Sequence, residues 1–167
     1  RLFAALVIEM RRITPAPDLV IEPLIAMRTG FICRAGHPLL ALGGEPASAA
    51  LPFAALRHYP LASTPLSPEA ARILVDLYGP NADPQTAVSV RCDDITSLID
   101  TVRATDAIFI GIVAAARAGI AAGQLAELPV SPPLTAGARF AFVTLAGRTE
   151  APSMAIFRRF AEEHLRD

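Results

Sequence analysis

Residues 89–111 read SVRCDDITSLIDTVRATDAIFIG, and this stretch decides the fold class. Its first residues are typical of a buried strand, which turns acidic at Asp93 and Asp94. Apolar residues then recur every three or four positions over residues 95–102, a spacing that predicts an amphipathic helix. The continuous apolar run from Ala107 is typical of a strand covered on both faces. Strand, helix and strand in this order predict an α/β fold.

The same alternation extends outward over residues 61–130 and predicts a largely parallel sheet. One helix has clear boundaries, because Ser67 is a natural N-cap, Pro68 suits the first helical position and Gly79 ends the pattern. Further strands are predicted at residues 6–10, 18–27, 28–36, 86–92 and 139–145, a helical turn at residues 53–56, and a terminal amphipathic helix at residues 151–167 with Phe157, Phe160, Ala161 and Leu165 on its apolar face.

The composition of the chain argues against several classes of function. The chain has 167 residues and a formal net charge of -1, so that a nucleic-acid surface, which needs a strongly basic face, is not expected in it. No apolar run reaches the roughly 20 residues that span a membrane. Cys33 and Cys92 lack metal-ligand spacing and fit free thiols in a reducing cytoplasm. The chain does not open with Met, which favours a piece of something longer.

Two polar turns follow predicted strands. In open α/β sheets ligands sit at the carboxyl ends of the strands. Ser63 and Thr64 precede a helix whose first amides can bind an anion. Ser67 is expected to cap that helix, which leaves Ser63 and Thr64 to line a pocket.

The second turn covers residues 91–97. Either Asp93 or Asp94 is expected to cap the next helix, and the other can accept hydrogen bonds from a ligand. Alternatively the spare carboxylate pairs with Arg91 or Arg103 at the surface, which the chemistry alone favours because such pairs are common and weak. Both interpretations stay open on the residues alone.

Nothing in the sequence predicts an enzyme. The histidines, His37, His58 and His164, have no metal-site spacing and no neighbouring Ser or Cys nucleophile. Phosphate-loop, dinucleotide-binding, nucleophile-elbow and zinc-protease motifs are missing. No catalytic residue, metal or cofactor is therefore expected.

Several segments, taken in order, resemble the effector-binding domain of LysR-type transcriptional regulators. The resemblance covers nearly the whole chain. One departure is Thr105–Ala107, where the family often has an Ala-Gly-x-Gly step. The matching segments are DLVIEPL (18–24), RAGHPLL (34–40) with its His37–Pro38–Leu39 turn, FAALRHYPLASTPLSPEAARIL (53–74), VSVRCDDITSLIDTVRATDAIFIGIVAAA (88–116), GQLAELPV (123–130) and RFAFVTLAGRTEAPSMAIFRRFAEEHL (139–165).

The resemblance implies a two-lobed fold like that of type 2 periplasmic binding proteins. Residues 1–27 and 139–167 would form lobe I, and residues 28–138 lobe II. The family's winged helix-turn-helix, its linker helix and the first elements of lobe I have no counterpart in the sequence, so lobe I is expected to be incomplete.

The implied function is sensing of a small molecule in the cleft between the lobes of a bacterial transcriptional regulator. The resemblance further implies a cytoplasmic homodimer or tetramer that binds promoter DNA only through the missing N-terminal domain. A transporter's solute-binding protein of the same fold is the alternative. The residues expected to bind the effector, a small and possibly anionic metabolite, are Ser63, Thr64, Arg91, Asp93, Thr96 and Phe140.

Overall fold

The computed structural model of the chain describes residues 5–10, 13–42, 50–135, 137–147 and 152–164. Contacts divide the chain into two compact units: unit 1 contains residues 1–27 and 137–167, and unit 2 contains residues 28–136. The described strands are β1 (Ala5–Glu9), β2 (Leu19–Met27), β3 (Thr29–Arg34), β4 (Leu51–Pro52), β5 (Leu61–Ser63), β6 (Val88–Arg91), β7 (Ile108–Ile112), β8 (Leu125–Glu127), β9 (Val130–Ser131) and β10 (Ala138–Leu145). The described α-helices are α1 (Pro38–Leu42), α2 (Phe53–Leu56), α3 (Pro68–Tyr78), α4 (Pro84–Ala87), α5 (Ile95–Ala104), α6 (Arg117–Ala121) and α7 (Pro152–His164).

Unit 1 contains a three-stranded antiparallel sheet in the order β1–β10–β2, with the terminal helix α7 against it. The contact centres on Phe142 of β10, which is fully buried. The Phe157 ring lies 5.5 Å from the Phe142 ring, and the Arg158 guanidinium lies 4.6 Å above it. Arg158 also pairs with Glu22 of β2, so that one residue of α7 joins two strands.

The buried face of α7 agrees only in part with the apolar face predicted for it. Ala161 is buried as predicted, together with Met154, whereas Phe157 and Phe160 are 40% and 56% exposed. Leu165 lies outside the described residues. The apolar spacing predicted the helix correctly but not the full orientation of its buried face. The cation–π contact of Arg158 with Phe142 occupies part of the face that packs against the sheet.

Unit 2 contains a five-stranded sheet in the order β6–β5–β7–β3–β8. Strand β5 is parallel to β6 and β7, and β3 is antiparallel to both β7 and β8. The predicted α/β class is confirmed. Strands β5, β6 and β7 are parallel, as predicted for residues 61–130, but β3 runs antiparallel to its two neighbours and makes the sheet mixed. The sequence of the central strand β7 is apolar throughout because the strand is buried on both faces. Ile108 and Ile110 belong to one core cluster and Phe109 to another.

At the edge of this sheet where β7 begins, two of the segments that resemble the LysR family, residues 34–40 and 88–116, are in direct polar contact. Arg34, at the end of β3, donates through Nε and Nη2 to the Asp106 carboxylate at 2.8 and 2.7 Å. His37 Nε2 lies 3.2 Å from the Asp106 carbonyl oxygen. Thr105 Oγ1 accepts a hydrogen bond from the Ala107 amide at 3.1 Å. The contacts of Asp106, within the Thr105–Ala107 step, therefore join the end of β3 to the start of β7.

Candidate functional site

Five of the six residues predicted to bind an effector lie at the carboxyl edge of the unit 2 sheet. Ser63 ends β5 and is paired with Arg91, which ends β6. The Cys92 amide donates to the Ser63 carbonyl oxygen at 3.4 Å, which extends the pairing into the turn. Thr64, Asp93 and Thr96 follow these strand ends directly. Phe140 lies on β10 of unit 1, half-buried and paired with Glu9.

Ser63 is buried and engaged by the protein itself. Its hydroxyl donates to the Ile110 carbonyl oxygen at 2.8 Å, which ties β5 to β7. Only the oxygen lone pairs remain for another group, so its contact with a ligand stays a prediction. The neighbouring Thr64 is half-buried, and its hydroxyl has no side-chain partner within the described ranges.

Asp94, not Asp93, caps α5. Its carboxylate accepts from the Thr96 and Ser97 amides at 3.2 and 3.1 Å and from the Ser97 hydroxyl at 2.5 Å. The Ser97 hydroxyl first, and then the two amides, hold the pKa of Asp94 below its ordinary value. Because these amides already hold a carboxylate, a ligand at this turn meets the Thr96 hydroxyl and the Asp93 carboxylate, both exposed.

Neither surface pair considered for Asp93 is present. Arg103 pairs with Asp100 at 3.0 Å. Arg91 instead donates through Nη2 to the carbonyl oxygens of Pro84 and Gln85, at 2.8 and 2.7 Å. Those carbonyls belong to the short helix α4, so that Arg91 fastens α4 to the end of β6.

Gly111 is a feature of this edge that sequence reasoning missed. A Cβ atom built there would come within 2.3 Å of the Phe109 ring. A glycine inside a strand run often marks such a close approach, so the signal was present in IFIGIV.

A second concavity lies towards the opposite end of the strand order from β6, where β3 begins beside the end of β7. This groove, called the β3–β9 groove below, has a volume of about 600 Å³ and runs between the start of β3 and the segment from β8 through β9. Residues far apart in sequence form it, which is why no local pattern predicted it. Its lining residues are Arg28, Thr29, Gly30, Phe31, Glu127, Leu128, Pro129, Val130, Pro133, Leu134 and Thr135.

The described residues contain neither a metal-binding cluster nor a helix that could span a membrane. No group of three or more His, Cys, Asp or Glu residues in these ranges could hold a metal ion. None of the described helices has both the length and the apolar character needed to cross a membrane.

Comparison with known protein families shows which family the chain belongs to. The family model described as the LysR substrate binding domain matches residues 5–166. The chain belongs to this family. A curated relative, the SDS degradation transcriptional activation protein of Pseudomonas sp. strain ATCC 19151, is 30% identical over 153 residues. That match covers 91% of this chain and 47% of the relative, so this LysR-family chain spans about half the relative's length.

Solved structures agree on the fold. A probable transcriptional regulator from Pseudomonas aeruginosa superposes with a TM-score of 0.68 at 18% identity, over 93% of this chain and 48% of that one. The effector domain of the regulator AmpR from Pseudomonas aeruginosa gives 0.61 at 16% identity, over 90% and 67%. LysR effector domains have the periplasmic-binding-protein-like fold, which the predicted fold class therefore matches.

These relatives also bear on the alternatives left open by the sequence. The curated relative is named as a transcriptional activation protein, and the two structures as a probable transcriptional regulator and the effector domain of another regulator. The interpretation as a transporter's solute-binding protein is not favoured.

Proposed function

We propose that this chain is the effector-sensing part of a longer, cytoplasmic transcriptional regulator that binds DNA through another domain. The observation that carries the proposal is the LysR family match over residues 5–166. The regulator named as the curated relative supports it. Homodimer formation by the full-length protein is part of the same proposal.

The site we propose is the carboxyl edge of the unit 2 sheet. Thr64 and Thr96 offer hydroxyl groups there, and Asp93 offers an exposed carboxylate that can accept from ligand hydroxyls. Arg91 adds a guanidinium held in place by α4. Such a mixed set suits a small organic acid that also carries hydroxyl groups, bound by a few placed polar groups. The predicted contacts of Ser63 and Phe140 belong to the same proposal.

Sensing requires that the ligand bind one conformation of the protein better than another. A useful switch needs a coupling free energy of about 1–3 kcal/mol between effector and promoter binding. No bond in the ligand is made or broken.

The test is a screen of hydroxy acids, dicarboxylic acids and sugars by the shift in melting temperature of the full-length protein. Replacement of Thr64 or Thr96 by Val should reduce the shift given by the best ligand, because each loses one hydrogen bond, about 0.5–1.5 kcal/mol. Each variant is compared with its own melting temperature without ligand.

Thr105→Val is the matched control, because Thr105 lies at the far end of α5 from Thr96. It should keep the full ligand-induced shift. If no compound stabilises the protein, or if the Thr64 and Thr96 variants respond to ligand and regulate a promoter like the parent, the proposed site is wrong.

A further inference from the structure

The β3–β9 groove combines the Arg28–Glu127 ion pair with a lining that is largely apolar. At its rim, Arg28 Nη1 lies 2.5 Å from Glu127 Oε1. Leu128, Val130 and Leu134 contribute apolar surface along the segment that follows Glu127. A volume of about 600 Å³ falls within the range of small-molecule sites.

Gly30 makes the position of Glu127 possible. A Cβ atom at residue 30 would come within 2.7 Å of Glu127 Oε1 and 3.0 Å of Val113 Cγ2. The absent side chain therefore leaves the space in which the Glu127 carboxylate crosses β3 to reach Arg28.

The wall of the groove is fixed before any ligand arrives. The Tyr78 hydroxyl donates to the Pro132 carbonyl oxygen at 2.7 Å, and the Tyr78 ring stacks on Phe53 with ring centroids 4.8 Å apart. The Leu51 amide donates to the Pro129 carbonyl oxygen at 2.6 Å. A wall held from two sides costs little ordering entropy when a ligand binds.

We propose that the β3–β9 groove is a second small-molecule site, which takes an amphipathic anion. The anionic head replaces Glu127 on Arg28, and the apolar part lies on Leu128, Val130 and Leu134. The Arg28 side chain is 56% exposed and that of Glu127 only 34%, so that a ligand from solvent meets the guanidinium first. A planar guanidinium binds a carboxylate in a bidentate manner. Partly exposed pairs contribute little stability, so the Glu127 carboxylate can move into water at low cost.

The experiment is a titration of the full chain with hexanoate and with its neutral analogue hexanamide, followed by ligand-observed NMR. Hexanoate should bind, and hexanamide should bind about ten-fold more weakly because it lacks the charge-assisted hydrogen bonds. Arg28→Gln should weaken hexanoate binding by about ten-fold for the same reason. Glu127→Gln should tighten it by about three-fold, because a competing carboxylate is removed.

Arg103→Gln is the matched control, because Arg103 forms a comparable exposed pair with Asp100 on α5. It should leave hexanoate affinity unchanged. Equal affinity of the Arg28→Gln variant and the parent overturns the inference, as does equal affinity for hexanamide and hexanoate. Failure of hexanoate to bind both the parent and the Glu127→Gln variant, throughout the millimolar range, also overturns it.

The groove shares no lining residue with the proposed effector site, so variants can distinguish the two. Thr64→Val and Thr96→Val should leave hexanoate affinity unchanged, and Arg28→Gln should leave the shift given by a sheet-edge ligand unchanged. Loss of hexanoate binding in Thr96→Val would place hexanoate at the edge, which overturns the groove inference while supporting the proposed function.

Discussion

His37 shows how a single side chain can fix a turn. The residue is 1% exposed, and its ring lies 4.5 Å from that of Tyr59. Nδ1 accepts from the Leu39 amide at 3.1 Å, so Nε2 carries the proton and donates to the Asp106 carbonyl oxygen. The His37 ring thus binds an amide in the first turn of α1 and joins this helix to the segment before β7. Sequence analysis placed His37 in the His37–Pro38–Leu39 turn, but it could not supply the Asp106 partner, which lies 69 positions away.

Replacement of His37 by Ala should therefore destabilise the chain. Two hydrogen bonds and a buried ring are lost, which costs about 2–4 kcal/mol. Urea unfolding followed by circular dichroism measures the change. His58→Ala is the control, since His58 is exposed and its replacement should change stability by less than about 0.5 kcal/mol. A change below about 1 kcal/mol for His37→Ala would contradict this account.

Cys33 gives a prediction for alkaline pH. Burial raises the pKa of its thiol from 9.0 to about 12, against a smaller lowering by Arg34. The unfolded chain therefore loses this proton near pH 9 while the folded chain keeps it. Stability linked to Cys33 is full below pH 9 and falls as pH rises towards 12.

Between pH 9 and 10 the melting temperature of the parent should fall more steeply than that of Cys33→Ala, measured by circular dichroism in matched buffers. Tyr78, whose pKa is also raised by burial, starts from 10.0 and contributes mainly above this window. Identical slopes in the parent and Cys33→Ala would show that the thiol ionises alike in both states.

The residues predicted well are those whose partners are close in sequence. Ser67 accepts from the Ala70 amide and Asp94 from the amides two and three positions on, so the caps could be predicted from adjacent letters. Arg28 and Glu127 lie 99 positions apart. Their contact depends on the order of strands in the sheet, which no local pattern contains.

At the scale of elements, the long periodic segments were predicted correctly, as was the helical turn at residues 53–56, which is α2, whereas other short elements were not. Helices α3 and α5 lie where the apolar spacing placed them. The strand predicted from residue 86 is partly the turn of α4, because Asp83 accepts from the Gln85 amide and Pro84 opens a helical turn. Helix α1 was missed because its five residues are too few to show a period.

The cap of α3 can be tested directly. Ser67 Oγ accepts from the Ala70 amide at 3.2 Å, and the helix buries Leu74 against the core. Ser67→Ala should lower the free energy of unfolding by about 1 kcal/mol. Ser67→Asp should retain stability, because a carboxylate also caps and suits the positive end of the helix dipole. Urea unfolding distinguishes them, and unchanged stability of Ser67→Ala would mean that the cap contributes nothing.

At the scale of the whole molecule, the two units differ in continuity. Unit 1 draws on both ends of the chain, whereas unit 2 is the single stretch 28–136. Both large core clusters, around Phe31 and around Phe109, lie wholly within unit 2. All five strands of the larger sheet also belong to unit 2.

Residues 28–136, expressed alone, should therefore fold. We expect a cooperative urea transition with a free energy of unfolding of about 5 kcal/mol or more, as is usual for a domain with its own core. Dispersed amide resonances in a two-dimensional NMR spectrum would show fixed packing. The matched control is the same stretch with Phe109→Ala, which removes about 3–5 kcal/mol from one core and should leave it largely unfolded. If the excised stretch gives a broad, non-cooperative transition, its two cores need unit 1 to order, and the division into units describes contacts only. A cooperative transition would instead show that unit 2 folds alone, so that the β3–β9 groove and the sheet-edge residues could be titrated there without Phe140 of unit 1.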